Sequence, residues 1–87
     1  MIRDYLDQSL LDIASLYRDV LIAQISPEDA PDRVINIDLL ETILARSEKE
    51  RAEKTMTKIE SIMKTRELLK FNAAPLSTIE ALMVQLR

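Results

Sequence analysis

The groups in this chain that could do chemistry are carboxylates, amines, guanidiniums and hydroxyls: 15 Asp and Glu, 12 Lys and Arg, two Tyr, and scattered Ser and Thr. Histidine, cysteine, tryptophan and glycine are absent. Without imidazole or thiol there is no zinc site of the usual ligands, no cysteine nucleophile, no histidine base and no disulfide. Without glycine the phosphate-cradling loops of nucleotide sites, which need positive φ or close backbone approach, are excluded. The expectation is a domain without a catalytic site, a cofactor, a metal or a small-molecule ligand.

The charges are unevenly distributed. Glu48 to Lys70 holds seven Lys and Arg against five Glu, and every lysine of the chain falls there, although the net charge is -3. Alternation of Lys with Glu, with no aromatic interleaved for base stacking, reads as the solvated face of a long helix carrying pairs such as Glu50-Lys54 and Glu60-Lys64. The acidic balance gives no general pull toward nucleic acid. An enzyme of the helical chorismate mutase kind needs several cations converging on a bundle interior, and the lysines read instead as exposed.

The elements that would position these groups follow from apolar spacing. With 87 residues and 47% hydrophobic content, the chain can bury one small core, so residues 1–87 read as a single domain. Ile2 to Ile25 repeats apolar residues every three or four positions, with Asp4, Gln8, Asp12, Ser15 and Asp19 as the wet face. Past Asp12 the apolar set widens, marking this as the central helix. Ser26-Pro27 ends it, and Pro27 to Pro31 reads as a polar loop. A short helix of about three turns follows through Leu39, Leu40, Ile43 and Leu44, with Asn36 or Asp38 as its cap. Ser47-Glu48-Lys49-Glu50 has capping-box spacing and opens a long helix from about Glu48 to Phe71, with Ala52, Met56, Ile59, Met63 and Leu69 inward and Ile62 and Leu68 flanking. Asn72 takes the cap that stops it, Pro75 suits a first helical position, and Ser77 with Glu80 forms a second capping box for a last helix, Leu76 to Leu86. Strand alternation is missing. The predicted fold is all-α, an antiparallel bundle of four main helices.

No cationic head with an apolar core opens the chain and no stretch approaches a membrane span, which reads as cytoplasmic with no membrane partner. The apolar pattern starts within two residues of Met1, as expected of a domain excised from a longer chain.

Three stretches carry a family likeness: Leu16-Tyr17-Arg18-Asp19-Val20-Leu21, Val34-Ile35-Asn36-Ile37-Asp38, and Arg66-Glu67-Leu68-Leu69 through Asn72-Ala73-Ala74-Pro75-Leu76 to Ile79-Glu80-Ala81-Leu82. Their order and spacing resemble the C-terminal collar domain of the bacterial DNA polymerase III delta prime subunit, a member of the clamp-loader family, over the whole chain. The related gamma/tau collar shares the Asn-x-x-Pro-Leu-x-x-x-Glu-x-Leu ending, while the Asn-x-Asp opening and the Tyr-Arg-Asp run favour delta prime. The family's Asn-x-Asn-Pro is Asn72-Ala73-Ala74-Pro75 here, which removes one cap or loop contact. The resemblance implies an oligomerisation domain that assembles with the collars of delta and gamma/tau in the loader that places the sliding clamp on primed DNA. The parent protein would then be a non-polymerising subunit of a nucleotidyltransferase holoenzyme, meeting DNA only through the complex. The family's ATPase-domain features have no matching positions here. A stand-alone helical adaptor would share every physical feature of such a collar.

The residues expected to face neighbouring subunits are Leu16, Tyr17, Arg18, Asp19, Ile22, Met83 and Val84. Leu16, Ile22, Met83 and Val84 are apolar surface beyond what a four-helix core needs. Arg18 and Asp19 read as rim charges, and Tyr17 reads first as a core tyrosine with its hydroxyl satisfied. Arg66 falls in the inward register of its helix and must find a carboxylate or carbonyl partner, as a local organiser.

Overall fold

The first helix, α1 (Ile2–Ile25), spans 24 residues, about 36 Å at 1.5 Å per residue. That is most of the longest dimension of the molecule, 42 Å. The structure is a computed structural model describing residues 2–71 and 74–87. As its widened apolar face requires, α1 serves two clusters. Its N-terminal half packs Leu10 and Ala14 against Ile62, Leu69 and Leu82. Its C-terminal half packs Val20 and Ala23 against Ala30 and Ile43.

The segment after α1 is more ordered than a polar loop. Pro27–Asp29 forms a 3-10 turn and Ala30–Arg33 a single-turn helix, α2. Pro27 and Pro31 stand in the first positions of these turns, where a missing N–H leaves nothing unpaired. Ala30, fully buried, provides the apolar contact that fixes them. A second 3-10 turn, Ile37–Leu39, leads into α3 (Leu40–Lys49).

The expected caps are placed differently. Asn36 precedes the 3-10 turn but makes no side-chain cap bond, because its amide is drawn to α1 instead. Asp38 lies exposed inside that turn, and Leu39 occupies the position before α3. Ser47 lies within α3, where its hydroxyl donates to the Leu44 carbonyl at 2.6 Å. The break falls three residues later, at Glu50 and Arg51, both extended, because the Glu50 side chain is held by groups of the next helix. That helix, α4, runs over Ala52–Lys70. The last, α5 (Pro75–Gln85), begins at Pro75, so Ser77 and Glu80 sit too deep in it to form a capping box. Asn72 lies outside the described residues.

The inward face of α4 is rotated from the expected one, although Leu69 is inward as expected. Thr55, Lys58, Ile62, Thr65 and Leu69 are buried, while Met56, Met63 and Leu68 are exposed. Hydroxyls of Thr55 and Thr65 are accommodated by bonds to the preceding turn, Thr55 to the Arg51 carbonyl and Thr65 to the Ser61 carbonyl. Lys58 is accommodated by Glu50. The lysines are therefore not all on a solvated face.

α1 and α4 are antiparallel, since Asp7 meets Arg66 at one end and Gln24 meets the Glu50 carbonyl at the other. α3 lies on α1, α1 on α4, and α4 on α5. The class is all-α, with no strand among the described residues. α5 also reaches α1, through Leu82 in the first cluster, so it covers one side of the α1/α4 pair.

Candidate subunit interface

The Tyr-Arg-Asp run sits where the two clusters meet. Asp19 is fully buried, so it is not a rim charge and not part of the wet face. Its Oδ1 accepts the Ile35 N–H at 3.0 Å, and its Oδ2 accepts the Asn36 N–H at 2.8 Å and the Asn36 Nδ2 at 2.7 Å. Asn36 Nδ2 also reaches Ser15 Oγ at 3.2 Å. Two of the stretches that carry the family likeness are thus joined: the carboxylate of the first ties down the backbone of the second. A buried carboxylate requires such donors, and the irregular segment before α3 needs acceptors for amides that no helix satisfies.

Arg18 lies beside it with a half-exposed side chain and a single loose contact, 3.6 Å, to Asp19 Oδ1. Tyr17 is half-buried against the first cluster, and Lys58 Nζ stands 5.7 Å from its ring centroid, a cation–π arrangement. Leu16 packs against the second cluster. Leu16 and Tyr17 line a shallow depression with Ile43 of α3, and Arg46 stands at its edge. Ile22 is half-buried, while Met83 and Val84 are exposed on α5 at 51% and 59%. The expected interface residues therefore fall on separate surfaces. Leu16 and Tyr17 face the α1/α3 depression, Arg18 borders the α1/α4 groove, and Met83 and Val84 line neither.

The α1/α4 groove is the surface that sequence reasoning missed. It encloses about 390 Å³ between Leu11 and Leu21 on α1 and Met56, Ile59 and Met63 on α4, with Ile35 at one end. Arg18 is its one charged lining residue. The signal was present, because Met56, Ile59 and Met63 carry apolar spacing, but that spacing was assigned to the core.

Two ion pairs lie outside this groove, one joining α1 to α4 and one at the break between α3 and α4. Arg66 grips Asp7 with Nε to Oδ1 at 2.7 Å and Nη2 to Oδ2 at 3.2 Å, the local organising role its position implied. That grip holds the Asp7 carboxyl below its ordinary value and raises the guanidinium of Arg66. Glu50 is the second anchor: Lys58 Nζ donates to its Oε1, Thr55 Oγ1 to its Oε2 at 3.0 Å, and Arg46 lies 3.9 Å away. Burial pushes the Glu50 carboxyl up, and the hydrogen bonds from Lys58 and Thr55, with the charges of Lys58 and Arg46, outweigh it and bring it below the ordinary value. Both Glu50 and Lys58 are almost fully buried, and each cation is satisfied by a carboxylate of the fold.

Among the described residues no helix is long and apolar enough to cross a membrane, and no group of three or more metal-ligating side chains is assembled. No family model matches the chain, and no curated protein or solved structure is significantly similar to it.

Proposed function

We propose that this chain is a collar domain of the clamp-loader family, of the delta prime type, whose work is subunit assembly. In this reading it holds its parent subunit in a ring with the collars of delta and gamma/tau, so that ATPase-driven changes in other domains open the sliding clamp on primed DNA. It acts in the cytoplasm and meets DNA only through the assembled complex.

The observation that carries the reading is the set of exposed apolar side chains on α4 and α5, of which Met56 and Met63 line one groove. Met56, Met63, Met83 and Val84 are all more than a third exposed, on helices already committed to the core by other faces. A contiguous apolar groove such as that of Met56, Ile59 and Met63 supports a partner site. The family-like stretches add support of a different kind: Asp19 of the first holds the backbone of Ile35 and Asn36 in the second. Neighbouring collars would bury the apolar residues, with rim charges such as Arg18 choosing partners more than supplying affinity.

The test is reconstitution. Leu16 is packed into the second cluster, so a charge there would disturb folding; Met83 and Val84 are the sites to alter. Full-length protein carrying Met83→Asp and Val84→Asp, mixed with delta and gamma/tau, should enter the complex at least about tenfold less well, a loss of about 1.4 kcal/mol or more. Wild-type incorporation of a normally folded variant would remove α5 from the interface.

A further inference from the structure

We infer that the α1/α4 groove docks an amphipathic helix of another chain, apolar along a heptad seam and carrying Lys or Arg along the side that meets α4. This rests on the reading of the domain as an assembly module and names the chemistry of one partner. α4 presents two faces. One is buried in the domain's own core, through Thr55, Ile62 and Leu69 among others. The second runs through Ala52, Met56, Ile59, Met63 and Arg66 at alternating spacings of four and three, the pattern of a coiled-coil seam. Its middle three residues form one wall of the groove. Methionines there suit a surface that adapts to an incoming helix.

The charges along this seam identify the occupant. Glu53, Glu60 and Glu67 each follow a seam residue by one position, recur every seven, and are exposed. They occupy the flanking positions that choose partners in coiled coils. Glu67 makes a loose contact, 3.9 Å, to the exposed Lys70 and acts electrostatically on the neighbouring Arg66. A second copy of this chain is disfavoured. Antiparallel pairing of two α4 seams sets Glu60 against Glu60 and Glu53 against Glu67, while parallel pairing sets the glutamates against Thr55, Ile62 and Leu69, which are buried. A helix with cations at heptad spacing satisfies the row. On the opposite wall Arg18 makes a loose contact, 3.6 Å, to Asp19 Oδ1, with its side chain half-exposed at the groove.

The test uses the 87-residue chain and two synthetic helical peptides of about three heptads, with identical Leu/Ile seams and either Lys or Glu at the flanking positions. Neither contains clamp-loader sequence, so the result is independent of ring reconstitution and the two readings can fail separately. By fluorescence anisotropy the Lys peptide should bind at least about tenfold tighter than the Glu peptide. Nitrogen-15 shift changes should centre on Leu11, Arg18, Met56, Ile59 and Met63. Glu53→Lys with Glu60→Lys and Glu67→Lys should invert the preference. Met56→Asp with Met63→Asp should weaken the Lys peptide about tenfold or more, although it makes the protein more acidic. The proposal is overturned if the Lys peptide does not bind saturably, if the preference survives the triple reversal, if the double Asp variant binds as tightly, or if the shifts lie elsewhere.

Discussion

Replacing Asp19 by Ala should be among the most damaging single changes in the chain, although its sequence neighbours make it read as a surface residue. The substitution removes three acceptor contacts, from Ile35 N, Asn36 N and Asn36 Nδ2. Hydrogen bonds to an ionised partner are worth about 1.5 to 3 kcal/mol each, an upper total of about 5 to 9. Ile35 is exposed and Asn36 half-buried, so water recovers part of this, and the expected loss is about 3 to 5 kcal/mol. By length the whole domain holds about 4 to 13 kcal/mol, so the variant should lose about a quarter or more of its stability and, at the lower end of that range, unfold at 25 °C. Asp12→Ala, on the exposed side of the same helix, should change stability by less than about 0.5 kcal/mol. Urea titration followed by circular dichroism at the helical band reads both. Asp19→Asn should fall between them, because it keeps one acceptor oxygen and turns an N–H toward the donors of Asn36. A loss below about 1 kcal/mol for Asp19→Ala would refute the assignment of Asp19 as the anchor of the segment before α3.

Lys58→Met should cost about 3 kcal/mol, because it strands the nearly buried Glu50; Lys58→Met with Glu50→Gln should cost less than the single change in the same titration. Because the fold holds Glu50 below its ordinary value, protons bind the unfolded chain more readily. Stability should therefore be fully present above the unfolded value of about 4.3 and fall as pH drops through the lower folded one. Glu50→Gln should flatten that decline in acid titrations of unfolding, and an unchanged slope would contradict the pairing. Ile62→Ala should cost about 2 to 5 kcal/mol, while Met56→Ala, at 44% exposure, should cost under about 1; the reverse order would contradict the rotated register of α4.

What could be read from the sequence follows the physics of each level. The span of α1 was legible to its last residue, because a sustained period of three and four ends at a proline whose steric demand is local. The register of α4 was legible only in part, through Leu69 and its neighbour Ile62. The helix carries two stripes, one of Met and Ile, the other of Thr, Lys, Ile and Leu, and hydrophobicity alone favours the first. The second is inward because Glu50, eight residues before Lys58, neutralises it across a helix break, a relation no periodicity encodes. Asp19 was misplaced for a similar reason, since its partners lie 16 and 17 residues away in an irregular segment. Arg66 was read correctly as needing an internal partner, though Asp7 could not be named, being 59 residues distant. The capping signals failed together. Ser47, Ser77 and Asp38 have the right types and spacing, but each helix boundary was set by tertiary contacts or by a proline a few positions away.

The central claim is that this domain assembles a ring of clamp-loader subunits, and native mass spectrometry of the full-length protein mixed with delta and gamma/tau tests it most directly. The account predicts one complex containing a single copy of this subunit, which loses that copy when the region from α1 to α5 is deleted. A protein that stays apart from both subunits, or that enters the complex equally well without this region, would contradict it.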